Sequence, residues 1–219
     1  MNLKIPKSGI FAVYKAKGPT SHDMVEKIRK LTGEKRVGHA GTLDPLASGV
    51  LVIGVGREAT KKLSEAVKKE KEYIAEIKLG VESATDDEEG EKYQIIINQF
   101  ESADRIKKSD IEKAIQKFVG KIEQVPPVYS AVKIRGKEAY KRVRRGEKVA
   151  LKSRAVEIKE IELLEYKWPN LKIRVVTGPG VYIRALARDI GKILEVGAYL
   201  SDLERTRVGE FTKSESAIV

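Results

Sequence analysis

The chain has 219 residues, 41% of them hydrophobic, which suits a globular protein with a sizeable core rather than a disordered one. Its 43 Lys and Arg against 32 Asp and Glu give a net charge of +11 and a pI of about 9.6; this favours a polyanionic partner, nucleic acid above all, although a charge-rich thermophile-type surface has the same composition. Zero cysteines exclude disulfides and thiolate metal sites, the two histidines lack zinc-motif spacing, and no run resembles a signal h-region or a membrane span, so a soluble, cytoplasmic protein without a metal is expected.

The elements read as mixed α and β. Ile10–Tyr14 predicts a short strand. Ser21 predicts an N-cap for a helix with Met24, Val25, Ile28 and Leu31 on one face, ended by Gly33. The apolar run Val50–Val55 predicts a buried strand, Glu58–Val67 a second helix, and Tyr73–Leu79 an alternating strand. The acidic, turn-rich segment Glu82–Glu91 predicts an exposed loop. Ser109 predicts the cap of a third helix, with Ile111, Ala114, Ile115, Phe118 and Val119 inward and Gly120 closing it. Gly136–Arg145 predicts a very basic helix around a thin stripe of Ala139, Tyr140 and Val143. Strands are expected over 147–166 and 171–177. Gly178-Pro179-Gly180 turns sharply into a helix that buries Ile183, Leu186, Ala187, Ile190 and Leu194. No repeat or low-complexity linker is evident, and one domain over 1–219 with a basic insertion near 125–150 is the simplest division.

The chemistry concentrates in His39-Ala40-Gly41-Thr42-Leu43-Asp44-Pro45-Leu46-Ala47-Ser48-Gly49-Val50-Leu51. Asp44 sits between glycine-bearing turns and before a proline, which pushes it toward an extended backbone. A carboxylate held on such a loop can act as a nucleophile or a general base. An unspecified Asp-Pro is more often only a turn.

The stretch resembles the catalytic motif of TruB-type tRNA pseudouridine synthases, G-H-x-G-T-L-D-P-x-A-x-G-V-L. Further matches follow in order: Lys15, Gly18, Thr20 and Ser21 in the first motif, Lys71-Glu72-Tyr73, Val181–Gly191 around Tyr182-Ile183-Arg184, and Leu200–Phe211 near the end. The resemblance implies an α+β pseudouridine synthase fold: a mixed, largely antiparallel central sheet flanked by helices, with a basic thumb insertion. It implies conversion of uridine to pseudouridine in the T-loop of tRNA, at position 55, with no cofactor or metal.

The roles it implies are as follows. Asp44 is the nucleophile that acts on a flipped-out uridine. Tyr73 lies against the base and assists proton transfer. Arg184 pairs with Asp44 and keeps it ionised. His39 helps hold the flipped-out state, and Gly41, Thr42, Leu43, Tyr182 and Leu200 contribute to substrate binding. Lys15, Lys133, Lys137, Lys141, Arg142, Arg144, Arg145 and Arg207 are candidate RNA contacts. The expected partner is the T-arm of tRNA, with no membrane, no obligatory protein partner and a monomeric state.

The chain departs from the family pattern at three places. Ala16 stands where proline is usual, and Glu204 where arginine is. Gly178-Pro179-Gly180-Val181 replaces S-K-G-T, which removes a lysine that could meet phosphate. Relatives commonly continue into a C-terminal RNA-binding domain, often of PUA type; its expected absence predicts weaker, more salt-sensitive tRNA binding. Two other functions compete: the catalytic subunit of a guide-RNA particle, whose archaeal–eukaryotic relative lacks most of the basic stretch Glu138–Arg154, and an RNA-folding module without catalysis. Gly54-Val55-Gly56-Arg57-Glu58-Ala59 also fits a weak dinucleotide-binding pattern, without the βαβ alternation it needs.

Overall fold

The computed structural model describes residues 5–94, 106–134 and 136–218. They pack as two units, the first made of Met1–Ile74, Val176–Pro179 and Leu203–Val219, the second of Ala75–Val175 and Gly180–Asp202. The sheet is mixed and mostly antiparallel, and among the described residues five helices accompany it.

In the first unit, strand β1 (Gly9–Lys15) leads to helix α1 (Ser21–Thr32). Thr20, not Ser21, is the N-cap: its hydroxyl accepts from the Asp23 amide at 3.1 Å, and the Asp23 carboxylate accepts from the Thr20 amide at 2.8 Å. Met24, Val25 and Ile28 are buried, whereas Leu31 is 59% exposed. The helix packs chiefly on strand β2 (Val37–Ala40), and about 13 Å of strand cannot cover about 18 Å of helix.

Strand β3 (Ser48–Val55) is buried along its whole length and pairs antiparallel with both β1 and β2. Helix α2 (Arg57–Val67) lies across it, and Val50 and Val52 share a core with Ala12, Ala40, Leu63, Ala66 and Val208. A Cβ on Gly54 would come within 3.0 Å of Leu63 and 3.2 Å of the Ala59 backbone. Close helix packing therefore accounts for this glycine of the dinucleotide-like pattern, and at Gly54 strand β3 runs between two antiparallel partners, Ile10 of β1 and Gly38 of β2, rather than in the parallel unit such a site needs.

The second unit follows the order β4-β11-β10-β7, from β4 (Lys71–Leu79) through β7 (Gly120–Gln124), β10 (Arg154–Lys167) and β11 (Asn170–Thr177). The acidic segment is not a plain exposed loop. It turns between β5 (Val81–Ser83) and β6 (Lys92–Gln94), which pair antiparallel. Helix α3 (Lys108–Gln116) is capped by Asp110, which accepts from the Lys107 amide at 3.0 Å, rather than by Ser109. Val119 is 39% exposed because the helix ends before it.

The predicted basic helix is mostly something else. Gly136, at φ 82°, turns a hairpin of β8 (Lys133–Ile134) and β9 (Lys137–Glu138), which leaves only Ala139–Val143 for helix α4. Strand β10 begins at Arg154 rather than near 147. Helix α5 (Ile183–Ile193) buries Ile183, Leu186, Ala187 and Ile190, with Leu194 half-buried at its C-cap. The remaining strands are β12 (Ala198–Val208), parallel to β3; β13 (Phe211–Thr212), antiparallel to β12; and β14 (Ala217–Ile218), parallel to β1.

Candidate active site

In the first unit, the loop between β2 and β3 carries Asp44, which is half-buried. Its backbone is tied at several points. The Ser21 hydroxyl accepts from the Leu43 amide at 2.8 Å and donates to the Leu43 carbonyl at 3.0 Å. The Gly18 amide donates to the Pro45 carbonyl at 2.8 Å, and the Ala47 amide to the Asp44 carbonyl at 3.0 Å. The Ser21 hydroxyl thus fixes the residue before Asp44 instead of capping α1. Leu43 is 3% exposed and anchors the loop inward, while Thr42 is exposed.

His39 lies on β2 opposite Ile53 and is partly buried. Burial, and then the charges of Arg205 and His22, push its pKa down, which favours a neutral ring. Tyr73 is 7% exposed on β4. Two residues before it, Lys71 turns inward and donates to the carbonyls of Val67 and Lys69, each at 2.8 Å. Burial, and then Arg205, lower its pKa to about 8.

The second unit presents Arg184 near the start of α5, 7% exposed. One guanidinium nitrogen donates to Asp87 at 3.1 Å and to the Thr85 carbonyl at 3.2 Å; another donates to the Tyr129 carbonyl at 2.9 Å. Asp87, itself 3% exposed, is in the sequence one acid among several in the segment expected to be an exposed loop. The only signal for it is indirect: a buried arginine in a Tyr-Ile-Arg motif calls for a carboxylate. The turn that holds Asp87 is braced by Ser83, which donates to the Asp87 carbonyl, and by Lys92, which donates to the carbonyls of Asp87 and Gly90 at 3.3 and 3.0 Å.

Tyr182, the N-cap of α5, is clamped by Gln124, whose amide accepts from the Tyr182 N–H at 2.9 Å and donates to its carbonyl at 3.1 Å. The Arg154 guanidinium stacks 4.8 Å from the Tyr182 ring and donates to the Gly180 carbonyl. This brings a cation to the turn where the family's lysine is missing. Leu200 is fully buried, and its amide donates to the Asp86 carbonyl at 3.0 Å, so it shapes the acidic turn.

The candidate RNA contacts divide. Lys133, Lys137, Arg144 and Arg145 are exposed in the thumb. Lys141 pairs with Glu138 at 3.1 Å, Arg142 with Glu147 at 2.6 Å, and Arg207 with Glu70 at 2.6 Å. Lys15, expected as an RNA contact, is not a surface cation. It is fully buried, and its amine donates to the carbonyls of Ala16 and Pro19 at 3.0 and 2.8 Å. Its amine is buried against the turn before α1 rather than presented at the surface to a phosphate. Among the described residues no group of three His, Asp or Glu side chains is placed to hold a metal, and no helix is long and apolar enough to cross a membrane.

Residues 29–183 match the profile of TruB family pseudouridylate synthase (N terminal domain). The chain is 50% identical over 199 residues to a tRNA pseudouridine synthase B of Parabacteroides distasonis, covering 88% of this chain and 82% of that protein. It is 44% identical over 217 residues to the enzyme of the same name in Thermobifida fusca, covering 95% of this chain and 72% of that one. Among solved structures, it superposes on a chain of a Cbf5–Nop10–Gar1 complex with a TM-score of 0.71 at 31% identity, covering 97% of this chain. It spans about half (52%) of that chain's length. The chain belongs to the TruB family of pseudouridylate synthases.

Proposed function

We propose that this protein isomerises uridine to pseudouridine in tRNA, at the T-loop uridine numbered 55, with Asp44 as nucleophile. In this reading Asp44 attacks the ribose C1′ or the base C6 of a flipped-out uridine. The C1′–N1 bond breaks, the base rotates, and a C1′–C5 bond forms; the C5 proton is lost and N1 gains one, so the product is an isomer and no cofactor enters the balance. Tyr73 stacks on the base and assists removal of the C5 proton. Arg184 orients Asp44 through charge-assisted hydrogen bonding. His39 stabilises the extruded nucleotide, and the exposed thumb cations track the tRNA backbone.

The observation that carries this reading is the Asp44 loop itself, held by Ser21 and Pro45 hydrogen bonds in a chain of this family. Preorganised backbone of this kind is what a positioned nucleophile requires. The test is pseudouridine mapping on an unmodified tRNA transcript incubated with the purified protein alone. Pseudouridine at the T-loop target, and none when that uridine is replaced by cytidine, supports the reading. No product despite tight tRNA binding would favour dependence on a protein partner, of the kind seen in the Cbf5–Nop10–Gar1 complex, or on a guide RNA.

A further inference from the structure

We infer that Arg205 is the positioning residue of the Asp44 loop, a permanently charged guanidinium that ties the loop at both feet. The inference rests on the reading of Asp44 as nucleophile. Arg205 is 1% exposed on β12 and stands opposite Gly49 of β3 in parallel register. Its Nε donates to the Val50 carbonyl at 2.8 Å, and a terminal nitrogen donates to the Gly41 carbonyl at 3.1 Å. These carbonyls lie on either side of Asp44 in the chain, one before the loop's proline turn and one after it.

The two glycines explain how the guanidinium comes so close. A Cβ on Gly49, which adopts φ 114°, would lie 2.1 Å from the Arg205 carbonyl oxygen and 2.7 Å from its nitrogen. A Cβ on Gly41, at φ 84°, would lie 3.5 Å from a terminal nitrogen of Arg205. Glycine at both feet of the loop thus admits the arginine strand and its side chain.

A buried charge is expensive, and these hydrogen-bond partners are neutral carbonyls rather than carboxylates. A planar fork can span two carbonyls at a fixed separation, which a lysine ammonium on a flexible stem does less rigidly. The charge is felt nearby: it opposes protonation of His39 on β2 and of Lys71 on β4, second to burial in each case. A passive brace would not need to be a cation. A cation that also braces the loop makes this face attractive to negative charge.

The experiment uses Arg205→Lys and Arg205→Gln, with Asp44→Asn in parallel. Three quantities are measured on folded protein: the single-turnover rate at saturating tRNA, the tRNA Kd, and the NMR titration of His39. The chain has only two histidines, so His39 is readily resolved from His22. Arg205→Lys should keep His39 near its wild-type titration and lose about 10-fold in rate, while Arg205→Gln should move His39 upward and lose about 100-fold, as displacement of a reacting group by about 1 Å does. The tRNA Kd should stay within about threefold in both.

Rates within about threefold of wild type in both folded variants would overturn the inference. So would rates that fall only as the folded fraction falls, or a failure of both variants to fold; either would make Arg205 a stability element alone. Activity in Asp44→Asn would instead remove the reading of Asp44, a result distinguishable because the His39 titration would still report the Arg205 charge.

Discussion

Arg184 and Asp87 pair at 3.1 Å inside the second unit, with side chains 8% and 4% exposed. Removing one partner of such a pair strands the other charge. Asp87→Asn is expected to destabilise the protein by about 3–5 kcal/mol and to slow pseudouridine formation, since Arg184 would lose its ion pair and keep the hydrogen bonds to the Thr85 and Tyr129 carbonyls. Calorimetry checks this: a Tm lowered by less than about 3 °C corresponds to under about 1 kcal/mol and would contradict it.

Ser21→Ala deletes two hydrogen bonds to Leu43 at once. The buried amide and carbonyl left behind should cost about 1–3 kcal/mol each if nothing replaces the hydroxyl. The expected signature is a lower Tm together with a slower single-turnover rate at unchanged tRNA Kd. A change in Kd alone would show that the Ser21 contact does not serve the loop's chemistry.

Lys71 gives a pH signature. The folded protein binds this proton less readily than the unfolded chain does, because its pKa falls from 10.5 to about 8. The unfolded state therefore holds more protons between those values, and stability contributed by this group rises with pH across that window. Lys71→Met should show a shallower rise in unfolding free energy over the same range. Parallel curves for the two proteins would contradict the assignment.

The thumb predictions concern affinity. Lys133→Ala, Lys137→Ala, Arg144→Ala or Arg145→Ala should each weaken tRNA binding and reduce the slope of log K against log salt by about 0.7–0.9 per lost phosphate contact. Rates at saturating tRNA should be unchanged. Arg142→Ala and Arg207→Ala should change the slope less, because both side chains are already committed to glutamates.

Much of this was legible in sequence because it is local. The unbroken apolar run of β3, the spacing of Met24, Val25 and Ile28, and the alternation from Tyr73 to Leu79 each encode an element within a few residues. The misses come from tertiary partners. Two adjacent hydroxyls, Thr20 and Ser21, look equivalent as caps until Leu43 claims one of them. Lys15 and Arg205 count as surface charge in any composition, yet both end fully or almost fully buried on carbonyls. Asp87 is chemically indistinguishable from Asp86 and Glu88 along the chain; only the fold brings Arg184 to it. The basic helix is shorter than its sequence suggests because charge and helix propensity do not reveal where Gly136 turns a hairpin.

The central claim is that Asp44 supplies the nucleophile, and Asp44→Asn tests it most directly. The amide keeps the side chain's size and removes its charge and nucleophilicity. With folding verified by calorimetry and tRNA binding by filter retention, the account predicts wild-type Kd and no detectable pseudouridine at the T-loop uridine under single-turnover conditions. Pseudouridine formed by the variant at a rate near that of wild type would contradict it.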